Sequence, residues 1–171
     1  ALNASIGLIG GFFGIRYPED VGGSGLDLVT FCLALEEVAR GSLSLAGCAA
    51  MQSLMGTKFL HMLGNEDIVE RLFKPALAGE KIGAICMTEP NAGSDLGSIA
   101  TSAKKVDGGY VLDGQKTWIT SAPVADFFTV FARAGDAKKL TIFDQEYVEQ
   151  RGRELRHLRL QVYRGFHGCF S

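Results

Sequence analysis

A basic excess, paired cysteines and a long apolar run are all missing from this sequence. Lys and Arg number 17 against 19 Asp and Glu, for a net charge of −2 and a pI near 5.9. No global field therefore draws the chain to nucleic acid or to an anionic membrane. Cys32, Cys48, Cys86 and Cys169 lie far apart with no CxxC pair, which argues against a zinc site or a disulfide frame and fits reduced, buried thiols inside a cell. The longest stretch without charge lies between Arg40 and Lys58 and is interrupted by Ser, Gln and Gly. It falls short of the ~20 apolar residues of a membrane span and reads as a buried helix. The opening "ALNASIGLIGG" has no basic n-region or cleavage pattern, so no targeting segment is visible. It begins as if cut from something longer. The expected location is intracellular, with the cytoplasm favoured, or the mitochondrial matrix in a eukaryote. Neither GxGxxG nor GxxxxGK[ST] occurs, which disfavours a nucleotide cradle of the usual α/β kind.

What is present is glycine, 22 of 171 residues, well above the ~7% of average usage. Much of it falls at 7–14, 22–25, 93–97 and 108–114, as expected of turns and close-contact loops. After "GLIGGFFGIRYPEDVGGSG", with Tyr17-Pro18 extended and Gly22-Gly23 in a turn, Leu28, Phe31, Leu35 and Val38 recur at helical spacing. That pattern predicts a helix over 27–40 capped by Ser24 or Asp27. Ser42 or Ser44 opens a second, largely apolar helix ending near Gly64. Asn65, Glu66 and Asp67 mark a third, which should break around Pro75 and Gly79.

Beyond Gly79 the period changes. "KIGAICMT" has strand length, "SIATSAKKVDGGYVLDGQKTWIT" alternates around Asp107-Gly108-Gly109 as a hairpin does, and "DFFTVFARA" and "KKLTIF" add strands. The fold class is α+β, a helical N-terminal domain followed by an antiparallel β domain. The expected division is 1–80 helical, 81–143 β, and an atypical tail over 144–171. In that tail Arg151, Arg153, Arg156, Arg159 and Arg164 crowd together. A solvated face or irregular end is the favoured reading, and a nucleic-acid patch is disfavoured because aromatic interleaving is thin.

Two segments point to a site. In "CMTEPNAGSD" (86–95) an apolar run ends in Thr88, Glu89 and Pro90, and small residues follow whose backbone N–H groups can face a flat polar ligand closely. In "GQKTWIT" (114–120) stands the single tryptophan, Trp118. An indole on a strand beside a hydroxyl can cover a conjugated ring, although a lone tryptophan is more often core. Glu89 and Asp95 resemble a catalytic carboxylate pair but are read as bracing the loop. His61 is read as a packed or surface histidine, and Cys86 as a buried strand residue.

"CMTEPNAGSDLGS", "YVLDGQKTWIT", "FFGIRYPEDVGGSGLD" and "FLHMLGNEDIVERLFKPALAGEKIGA" together resemble, in order and spacing from about Gly7 to Phe143, the acyl-CoA dehydrogenase family of flavoenzymes. The tail after Phe143 departs from the family. The resemblance implies FAD as cofactor and an acyl-CoA thioester as substrate. It implies that Met87 and Thr88 meet the flavin's pyrimidine edge, that Trp118 and Ile119 pack beside the ring system, that Thr120 bonds near N5, and that Ser94 lines the substrate channel. Donors so placed stabilise the charge of reduced flavin. The implied reaction is α,β-dehydrogenation, with a carboxylate base removing the α-proton as the β-hydrogen leaves as hydride. That base belongs to a C-terminal helical domain outside these residues, so no residue here is assigned as catalytic and none as a metal ligand. Without that domain the chain is expected to be inactive and to expose an apolar face. An electron-transfer flavoprotein and a homotetramer are the partners the resemblance implies.

"EPNAGSD" resembles branches that handle short or dicarboxylic acyl groups, yet no basic residue between Arg40 and Lys58 is available to pair with a distal carboxylate. A short or medium monocarboxylic acyl group is therefore favoured. The alternative is a related flavoprotein without dehydrogenase activity that binds nucleic acid through its Arg-rich tail. An interaction module with no flavin would require the four motifs to coincide by chance.

Overall fold

The computed structural model describes residues 11–63, 66–107, 109–135, 139–146 and 167–169. The chain divides into two compact units, Ala1–Ala84 and Ile85–Ser171.

The first unit is helical. Helix α1 (Leu28–Gly41) is capped by Asp27, whose carboxylate accepts from Thr30 N–H at 2.8 Å. Phe31 is its buried residue, Leu35 and Val38 are half-buried, and they pack on Phe12, Phe13, Ile15 and Ala49. Burying each phenylalanine contributes about 2 kcal/mol. Leu28, expected on the inner face, is instead exposed, as are Val29, Leu33 and Leu43. It occupies the first turn, ahead of the inner stripe, and joins Val29 and Leu33 in an uncovered apolar surface. Ser42 ends α1 and caps α2 (Leu43–Ala50). The helix then widens into a π turn (Met51–Gly56) and resumes as α3 (Lys58–Leu63).

The wide turn has a physical use. A π turn lets backbone carbonyls escape the regular i+4 ladder, and side chains take them. Tyr17 Oη donates to Ser53 O at 2.9 Å, and Thr57 Oγ1 donates to the same carbonyl at 2.9 Å. Ser53 Oγ in turn donates to Phe13 O at 2.9 Å. Buried Gln52 donates to Ala76 O and Lys81 O and accepts from Gly83 N–H at 3.0 Å. The Tyr17 ring meets His61 and Phe73 edge-on at 5.3 and 5.0 Å, which makes His61 a packed histidine. Tyr17 also explains Gly23, where a Cβ would lie 2.0 Å from Tyr17 O.

The third helical stretch ends at Gly79, one of its two expected break points, but runs through Pro75, the other. Helix α4 (Glu66–Ile68) passes through a π turn (Val69–Phe73) into α5 (Lys74–Ala78), which contains Pro75 and stops at Gly79 with φ 79°. Proline lacks an N–H and its ring crowds the carbonyl four residues back, and the widened turn before it relieves both problems. Gly64 and Asn65, expected as cap residues, lie outside the described residues.

The second unit is a sheet ordered β3-β2-β4-β5-β6, with β1 (Gly83–Cys86) also pairing β4. β2 (Ser102–Val106) and β3 (Gly109–Asp113) form the expected hairpin, closed by Val106 opposite Gly109. β4 (Phe127–Ala134) and β5 (Lys139–Glu146) pair antiparallel along their whole length. β2 meets β4 in parallel over Ser102 and Ala103. Phe127, Phe128, Val130, Phe131 and Ala132 are all buried, which explains why β4 reads as a continuous apolar run. β6 (His167–Cys169) pairs antiparallel with β5, Thr141 opposite Cys169. The arginines singled out in the tail lie outside the described residues. Among the described residues no helix is long and apolar enough to cross a membrane, and no His, Cys, Asp and Glu cluster could hold a metal ion.

Candidate functional site

The two sequence segments meet at the end of β1. Past Cys86 the chain turns through Met87 and Thr88, both half-buried. Thr88 O accepts from Thr117 N–H at 2.9 Å, and Met87 O accepts from Lys116 Nζ at 3.0 Å. Two stretches 29 residues apart in sequence are thereby locked side by side. Glu89 then pairs with Ala92 through Glu89 N–H to Ala92 O at 2.8 Å and Ala92 N–H to Glu89 O at 3.2 Å, a tight turn across Pro90 and Asn91.

Glu89 is the hub. Its carboxylate, 7% exposed, accepts from Ala100 N–H at 2.7 Å, from Thr101 N–H at 3.0 Å, from the Thr101 hydroxyl and from Lys116 Nζ at 2.8 Å. Burial alone would push this carboxyl up, but Lys116, the Thr101 hydroxyl and the two N–H donors outweigh it and hold it down at about 2. Lys116, 2% exposed, is drawn below its ordinary value by burial, with Glu89 opposing. The Cys86 thiol is pushed up to about 12 by burial, against the nearby Lys116 charge. Asp95 caps the short turn Leu96–Ser98, accepting from Gly97 N–H at 2.9 Å and from the Ser98 hydroxyl. Both acids therefore serve the loop, as read from the sequence.

The expected strand setting of Trp118 is incorrect. Residues 114–120 form no strand. Trp118 sits in a bend at φ 58° with its side chain 91% exposed, and Ser121 follows at φ 66°. A left-handed bulky residue costs roughly 1–2 kcal/mol, and an exposed indole forgoes its burial. Neither cost serves folding. Strand alternation failed here because Gly114 leaves the hairpin by passing Thr101 too closely for any side chain, a Cβ there falling 2.4 Å from Thr101 Oγ1.

Of the other expected site residues, Ile119 is half-buried, while Ser94 and Thr120 are exposed. The hydrogen bonds joining the segments run through Met87, Thr88, Glu89, Lys116 and Thr117 and include neither Ser94 nor Thr120. Thr117 Oγ1 is the one buried side-chain oxygen left without a partner among the described residues. A strained, uncovered aromatic face beside an orphaned hydroxyl and half-buried backbone suits a planar ligand with a polar rim. Sequence reasoning missed Lys116 and Thr101. The only local hint was an opposite charge inside each motif.

The family model described as the acyl-CoA dehydrogenase middle domain matches residues 84–169, and that described as the N-terminal domain matches residues 9–80. The chain belongs to the acyl-CoA dehydrogenase family. It is 84% identical over 133 residues to the benzylmalonyl-CoA dehydrogenase of Aromatoleum aromaticum, covering 78% of this chain and 35% of that one. It is 42% identical to the 3-(aryl)acrylate reductase of Clostridium sporogenes, over 75% of this chain and 34% of that one. Among solved structures, an acyl-CoA dehydrogenase of Bacillus anthracis complexed with FAD superposes with a TM-score of 0.76 at 33% identity, over 84% of this chain and 25% of that one. The chain thus spans about a third of the length of the curated relatives it matches.

Proposed function

We infer that this chain is the flavin-edge portion of an FAD-dependent acyl-CoA dehydrogenase. The observation that carries the reading is the junction of Met87–Thr88 with Lys116–Trp118, which leaves an exposed indole in a strained bend. Trp118 and Ile119 would flank the ring system, Met87 and Thr88 its pyrimidine edge, and Thr120 its central region, while Ser94 would face the thioester. FAD, when bound, supplies the hydride acceptor. The chain's own part is to orient that group by hydrogen bonds and stacking and to keep water off one face. The catalytic base, a carboxylate, belongs to a C-terminal domain outside these residues, and an electron-transfer flavoprotein and a homotetrameric assembly complete the proposal.

For the substrate, the 84% identity to a benzylmalonyl-CoA dehydrogenase favours an aryl-substituted acyl thioester over the simple short or medium monocarboxylic group. The uncharged stretch between Arg40 and Lys58 argues against a carboxylate at the far end of the acyl chain. A malonyl group carries its carboxylate on the α-carbon, so it escapes that objection. Anaerobic mixing of the full-length protein with benzylmalonyl-CoA and with butyryl-CoA tests this. Bleaching of the visible flavin band by the first at the lower concentration supports the reading, and no bleaching by any acyl-CoA refutes it.

A further inference from the structure

We propose that buried Lys116 is a positioning residue for the flavin site. Through Glu89 and Met87 O it clamps the 86–89 segment to the 114–121 bend and so holds Trp118 in its exposed left-handed conformation. This rests on the flavin reading above.

Lys116 Nζ reaches Glu89 Oε1 at 2.8 Å and Met87 O at 3.0 Å, so one ammonium grips both the loop acid and the backbone beside the expected flavin edge. The next residue's N–H holds Thr88 O at 2.9 Å, and the residue after that is Trp118 at φ 58°. Such a bend persists only where its surroundings over-determine it. Here the anchor is the residue two before it, fixed at its tip. Glu89 is itself fixed by Ala100, Thr101 and Lys116, so the clamp has a rigid base. A lysine 2% exposed is costly to bury, and a well-packed apolar residue would serve stability as well or better. What an apolar residue cannot do is bridge an acid and a carbonyl from two loops.

The test compares wild type, Lys116→Met and the charge-neutral pair Glu89→Gln/Lys116→Met in the full-length protein. Amide hydrogen exchange without FAD, and FAD affinity with the bound flavin's visible spectrum, are measured for each. The expected result is faster exchange confined to 86–89 and 114–121, unchanged exchange over 12–61, FAD affinity weakened roughly ten-fold, and an altered flavin band at saturation. Should Lys116→Met fail to fold, the neutral pair, which leaves no unpaired buried charge, carries the same expectation. Wild-type exchange, affinity and spectrum in a folded variant overturn the proposal. Failure of the wild type itself to bind FAD overturns the flavin reading instead.

Discussion

Replacing Glu89 by glutamine should remove a pH dependence that the wild type shows. The Glu89 carboxyl has an ordinary value of 4.5 and is held at about 2 in the folded chain. As pH falls, the unfolded chain binds this proton first, so the stabilisation is complete above 4.5 and is lost as pH falls through about 2. The interval is about 2.5 pH units, which at ~1.4 kcal/mol each makes about 3 kcal/mol. Glutamine keeps the shape and an acceptor for Thr101 and Lys116 but has no proton to gain. At pH 7 the variant should therefore be about 3 kcal/mol less stable in urea titrations, a loss within the 5–15 kcal/mol of an ordinary fold. By pH 2.5 the gap should close to about 1 kcal/mol. Stability curves of the two proteins running parallel from pH 7 to pH 2.5 would refute the reasoning, since Glu89 would then carry no depressed titration.

Gly114→Ala should cost about 1–3 kcal/mol by overpacking, because its Cβ would lie 2.7 Å from Thr101 Cα, whereas Gly93→Ala, with nothing within 4 Å, should shift the urea midpoint little. Trp118→Gly should leave stability unchanged or raise it by up to ~1 kcal/mol by relieving the left-handed bend while weakening FAD binding, so a destabilised variant of undiminished affinity would contradict the site. In a timed alkylation followed by mass spectrometry, exposed Cys32 should react early, and Cys86, buried with its thiol held at about 12, only after denaturant is added.

What the sequence made legible was whatever is local. A cap at Ser24 or Asp27, of which Asp27 serves, α1, and the apolar runs of β4 and β5 follow from spacing and neighbours alone. The motifs located both halves of the candidate site, but not what joins them. Glu89 and Lys116 lie 27 positions apart, and no periodicity reveals that two opposite charges in separate loops share one buried contact. Trp118 misled for a related reason, because alternation continued in the text after Gly114 had ended the strand. Pro75 misled because the breaking rule assumes a regular turn before the proline, and Val69–Phe73 is not one.

The π turns bear on how this protein can change over time. An α-helix advances 100° per residue, but the i+5 turn at Met51–Gly56 carries one residue more through about the same rotation, so the extra residue bulges without turning the helix beyond it. Deleting one residue there would restore a regular helix and leave the residues after it close to their present phase. Thr57 and Leu60, now fully buried, would stay on the core side, while the Ser53 carbonyl that Tyr17 and Thr57 now share would return to the regular ladder. A deletion within the regular helix Leu28–Gly41 would turn every later residue of that helix by 100°, whereas a single-codon deletion at 51–56 is a length change the fold can absorb.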